Sequence, residues 1–189
     1  MASDLPDDLL GVDEDGEGDG GGDDGEDVER RRLVLFRIGK TIYATQVEAV
    51  RTVVEPTDLT PVPRSGPAIE GVMDLRGDIT AVIDPHVQFA TPAEGDERDR
   101  RVVVIDRGPD RQAAGLLVDE VLGVESIAAP FFYDVDEEDA NTEPFRRVGE
   151  LVVATVQRPD GDGGTELIGV LDTEAIVESA GRASAESPA

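Results

Sequence analysis

The chain has a single histidine, His86, and no cysteine. Without a thiol there is no cysteine nucleophile, no zinc–thiolate set and no disulfide framework. One imidazole alone builds neither a catalytic relay nor a multi-histidine metal site. His86 falls in the first turn of a helix that Asp84-Pro85 should open, and its expected role is that of a solvated surface side chain. Carboxylates crowd together in Asp134-Val135-Asp136-Glu137-Glu138-Asp139, but the ligand order, central glycine and closing glutamate of a calcium loop are missing. Gly161-Asp162-Gly163-Gly164 lacks the Lys-Ser/Thr of a phosphate loop. The expectation is a protein that is not an enzyme, needs no cofactor and no metal, and works by binding.

The residue best placed to bind is Arg76. It lies in Gly71-Val72-Met73-Asp74-Leu75-Arg76-Gly77-Asp78-Ile79-Thr80-Ala81-Val82-Ile83-Asp84, which alternates as a strand, turns and alternates again. Gly77 takes positive φ freely, so a two-residue Gly77-Asp78 turn is expected. Val72, Asp74 and Arg76 then share one face of the first strand, where Asp74 would hold the guanidinium in place.

The elements that present this hairpin read as a duplicated module. Arg32–Ile38 and Thr41–Thr45 form two strands around Gly39-Lys40, Val47–Val50 a helical turn, and Arg51–Val54 a third strand. Pro56, Pro61, Pro63 and Pro67 enforce an extended loop before the Arg76 hairpin. The second half repeats the order: strands 102–105 and 113–117, a helical turn 118–121, strands 124–127, 151–156 and 166–171, and a helix capped by Asp172. Five short strands per half predict a mainly β protein of two small five-stranded barrels with short helices, side by side, with a groove at their junction.

Composition sets the outer limits. Of 189 residues 43 are acidic and 17 basic, giving a net charge of −26, and 16 of the 17 bases are arginine. Residues 1–29 hold 13 carboxylates and no base, so they are expected to be a disordered acidic tail, with 180–189 a second disordered end and 30–179 the folded domain. Such acidity with one lysine fits a halophile. It also opposes nucleic-acid binding, which needs a basic face. No apolar run reaches membrane-span length, and the expected location is cytoplasmic without direct membrane insertion.

Several ordered motifs resemble the CheW family, the adaptors that couple chemoreceptors to the histidine kinase CheA. They are Phe36-Arg37-Ile38-Gly39 with Tyr43-Ala44, the helical turn Val47–Val50, the proline loop from Pro61 to Val72, Leu75-Arg76-Gly77 with Ile83-Asp84, and Gly115-Leu116-Leu117-Val118-Asp119-Glu120-Val121. The resemblance implies two SH3-like five-stranded barrels and two partners, chemoreceptor tips and the regulatory domain of CheA. It also implies that Val50, Thr52, Gly71, Asp74, Arg76 and Val102 line a groove for the receptor's tip helix. It assigns no kinase-binding residue. Asp74 stands where the family usually has Asn, Thr52 where it often has an acid, and Pro85 where it usually has Leu. The alternatives are a scaffold in a non-taxis two-component pathway and a detached kinase-regulatory module.

Overall fold

A computed structural model describes residues 28–135, 144–145, 148–160 and 163–185. Most of the acidic N-terminal segment, the acidic loop beyond Val135 and Gly161-Asp162 lie outside the described residues. Eleven strands form two sheets among them: β1 Arg30–Ile38, β2 Thr41–Gln46, β3 Val50–Val54, β4 Ile69–Leu75, β5 Asp78–Ile83, β6 Arg101–Ile105, β7 Ala114–Val118, β8 Glu120–Ala128, β9 Phe132–Tyr133, β10 Val152–Pro159 and β11 Thr165–Leu171. The helices are α1 Pro85–Phe89 and α2 Thr173–Ala185.

The two barrels are present, but each is built from both halves of the chain. One sheet runs β8-β1-β2-β11-β10-β9, the other β3-β6-β7-β5-β4. The opening hairpin of each half has been exchanged, and it is held in its new barrel by a short parallel ladder, β2 with β11 and β5 with β7. This exchange explains the continuous apolar runs. Within β6, Val102 and Val104 fill one barrel while Val103 and Ile105 face a central layer between the barrels. In β1, Leu33 and Leu35 fill the other barrel while Val34, Phe36 and Ile38 reach the central layer. Strands buried on both faces need no polar alternation. Tyr43, Phe89 and Phe145 meet in that layer, their rings 5.1 and 5.8 Å from Tyr43, and burial pushes the Tyr43 hydroxyl up to about 12.

The chain crosses between barrels at two points. The first is the helical turn expected after β2, a single 3-10 turn Val47–Ala49. At the second, the expected turn over 118–121 is absent; β7 ends at Val118 and β8 begins at Glu120, leaving Asp119 alone between them. Both helix starts follow the sequence reading: Asp84 accepts from the His86 amide with Pro85 in the first turn, and Asp172 accepts from the Ala175 amide. The last helix runs to Ala185, past the expected boundary at Ser179, and Ala180 is buried against the central layer.

Candidate functional site

The five-stranded barrel is open along one side, because its end strands β3 and β4 are not joined by a ladder. Alternation in β3 turns Val50, Thr52 and Val54 inward and leaves Arg51 and Val53 exposed. The opening is a concavity of about 310 Å³ lined by Arg51, Thr52, Val54, Leu75, Arg76 and Asp78. Val54 and Leu75 pack on the barrel interior and form its apolar floor.

Arg76 stands at the rim, for a reason the sequence reading placed one residue too late. Leu75 pairs with Asp78, so the two-residue turn is Arg76-Gly77 and Asp78 already belongs to β5. Both turn residues have positive φ, 58° for Arg76 and 94° for Gly77, as a type I′ hairpin turn requires. Glycine enters that region freely; arginine costs roughly 1–2 kcal/mol there. Arg76 therefore leaves the face it was expected to share with Asp74. The Asp74 carboxylate accepts the Gly77 amide at 2.6 Å and braces the turn instead of the guanidinium. Among the described residues Arg76 makes no ion pair. Arg76 is thus an exposed cation held in a strained conformation beside an apolar floor.

The other expected groove residues have different places. Val50 is half-buried and packs on the central layer. Gly71 is buried beneath the proline loop, which bridges to β4 through Thr60 and Val72; a Cβ on Gly71 would come within 2.7 Å of the Thr60 carbonyl oxygen. Val102 is fully buried inside the barrel and offers no surface to a partner. The structure thus brings Thr52 and Arg76 together, sets Asp74 behind them as a brace, and leaves Val50, Gly71 and Val102 as packing residues. Arg51, Val54, Leu75 and Asp78 line the same concavity and were not expected there. The alternation of β3 carried a signal for Val54, and Leu75 ends its own strand. The Arg51–Asp78 ion pair at 3.1 Å joins residues far apart in sequence and left no trace there.

That ion pair also borders a larger cleft of about 550 Å³, lined on its far side by Asp106, Arg107, Arg111 and Gln112. Its arginines are compensated. Arg107 and Arg111 both reach Glu174 on α2, and the Arg107 guanidinium holds the Glu174 carboxyl below the usual carboxylate range. A separate concavity of about 340 Å³ between the sheets, lined by Gln46, Ile105, Val153 and Leu171 among others, is the junction groove expected from the paired barrels, and none of the expected site residues line it. His86 is buried rather than solvated, 7% exposed, between Asp84 and Asp119. Among the described residues no three His, Cys, Asp or Glu side chains are grouped to hold a metal ion, and no helix is long and apolar enough to cross a membrane.

Residues 32–181 match the CheW-like domain. The chain belongs to the CheW-like domain family. Proteins called chemotaxis protein CheW are similar to it: 36% identity over 92 residues with that of Thermotoga maritima, and 26% over 157 residues with that of Treponema pallidum. The first alignment covers 49% of this chain and 59% of the relative, the second 80% and 84%. The fold is that of the crystal structure of scaffolding protein TtCheW from Thermoanaerobacter tengcongensis, with a TM-score of 0.66 at 24% identity over 79% of this chain and 94% of that one. The chain's two sheets are the two SH3-like subdomains of that fold.

Proposed function

We propose that this protein is a non-catalytic chemotaxis adaptor that couples chemoreceptors to the histidine kinase CheA. The observation that carries the reading is the apolar floor of Val54 and Leu75 at an open barrel mouth, with Arg76 strained and unpaired at its rim. Such a mouth suits an amphipathic helix, which buries its apolar face on the floor and sets a polar or acidic group against the guanidinium. A chemoreceptor's cytoplasmic tip is the proposed occupant. The regulatory domain of CheA would dock elsewhere, on exposed apolar residues at a barrel end; Leu122 and Val124 on β8 are of that kind. Holding both partners at once raises their effective mutual concentration, so receptor changes bias the kinase with no chemistry in the adaptor. Association with receptor arrays through these partners follows from the same reading.

The test is a titration of the isotope-labelled protein with a helical receptor-tip fragment, followed amide by amide. Shifts should concentrate at Thr52, Val54, Leu75 and Arg76. Shifts confined to the 550 Å³ cleft or to the junction groove would place the receptor elsewhere and overturn the assignment.

A further inference from the structure

His86 sits between two carboxylates from different parts of the fold. Its Nδ1 is 2.6 Å from Asp84, which follows β5, and its Nε2 is 2.9 Å from Asp119. Asp119 is the single residue at which the chain passes from β7 in one barrel to β8 in the other, and it is 2% exposed. The same Asp119 oxygen accepts the Gly39 amide at 2.7 Å, from the β1–β2 turn, and the Glu94 amide at 3.2 Å, from the linker after α1. Four separate segments are therefore tied at one carboxylate.

A neutral imidazole carries one N–H, so it can donate to only one of its two neighbours. Its other nitrogen would then set a lone pair against a buried carboxylate oxygen. Only the imidazolium satisfies both sides. We propose that His86 is a proton-controlled latch between the barrels, closed as the imidazolium and released as the neutral imidazole.

The charged groups facing it are Asp84, Asp119 and Arg100, whose Nε stands 3.9 Å from the second Asp119 oxygen. Burial alone would push the imidazole down, but hydrogen bonds to Asp84 and Asp119 outweigh it and the net shift is upward. Asp84 also feels burial, which pushes it up, yet His86 and Arg100 bring it to a net shift below the usual carboxylate value. A group raised on folding contributes stability that is complete below its unfolded value, about 6.5 for histidine, and lost as pH rises through the higher folded value.

The duplicated half makes the latch asymmetric. Asp172-Thr173-Glu174 repeats Asp84-Pro85-His86, and Glu174 likewise bonds across to the other barrel, through Arg107 and Arg111 of the β6–β7 loop. That joint does not titrate near neutrality, so only the His86 joint responds to pH there.

Because His86 is the only histidine, its ring protons in the intact protein report the latch without assignment. The expected NMR titration midpoint lies above 6.5. Between pH 6 and 9 the wild type should lose several degrees of melting temperature, while His86→Gln melts lower at pH 6 and stays flat. Over the same range the Gly39 amide, corrected for base catalysis, should lose exchange protection. A midpoint at or below 6.5, or unchanged Gly39 protection, would overturn the latch. So would equal pH profiles for wild type and variant. If the variant fails to fold, the two measurements on the wild type decide the matter alone.

Discussion

Replacing Arg76 with asparagine should raise stability and abolish most receptor binding, two effects of opposite sign from one substitution. Arg76 is held at φ 58° ahead of Gly77 at 94°. Asparagine tolerates that region better than arginine, and Asn-Gly is the preferred pair for this turn. Relieving part of a left-handed cost of roughly 1–2 kcal/mol gives a gain of about 0.5–1 kcal/mol. For a domain of this size that is a rise of roughly 1–4 °C in melting temperature. Little is lost elsewhere, since Arg76 is exposed and makes no ion pair among the described residues, and Asp74 keeps its bond to the Gly77 amide. Binding moves the other way. Losing a charge-assisted hydrogen bond costs about 1.5–3 kcal/mol, a roughly ten- to 150-fold weaker Kd. Thermal melting and isothermal titration with a receptor-tip fragment read the two effects on one preparation, and binding to the kinase regulatory domain should stay unchanged. A lower melting temperature with intact receptor affinity would show that Arg76 serves the fold and that the groove reasoning is wrong.

Further expectations follow from packing and charge. Gly71→Ala should lower stability by about 1–3 kcal/mol, because its methyl group meets the Thr60 carbonyl oxygen; a neutral result in chemical denaturation would mean that the proline loop is free to lift. Acid should weaken the joint at Glu174, whose carboxyl is held low by Arg107; its stabilisation is present above the ordinary glutamate value and lost as pH falls through the lower folded one, so Glu174→Gln should melt less steeply with falling pH than the wild type. Beyond residue 29 the chain still holds 30 carboxylates against 17 bases, so the melting temperature should rise from tens of millimolar to molar salt, and equal values would remove the halophile reading. Deleting residues 1–29 should leave melting and both partner interactions essentially intact; lost kinase binding would make the segment an interaction element.

Much of the fold was legible because its signals are local. Alternation located most strands, and Asp84 and Asp172 marked two helix starts through capping chemistry that needs only a few neighbouring residues. The exchange of opening hairpins was not legible. Both faces of β1, β6 and β7 are apolar, so nothing in their patterning says which barrel receives which face. Burial of His86 was hidden for a related reason: its partner Asp119 is 33 positions away in the chain. Of the residues expected at the groove, Thr52 and Arg76 line one concavity, while Gly71 and Val102 are buried, their small or apolar character serving the barrel itself. The turn lies one residue earlier than expected because a type I′ turn needs positive φ at both centres, and Arg76 gives no sequence signal for that conformation.

The central claim is that one protein holds receptor and kinase together. Receptor cytoplasmic fragments assembled on vesicles should sediment the CheA regulatory domain when this protein is present, and leave it in the supernatant when it is absent. Arg76→Asn should abolish that co-sedimentation while still binding the kinase domain in solution. Kinase retention that does not depend on this protein, or receptor and kinase competing for it rather than binding together, would contradict the adaptor account.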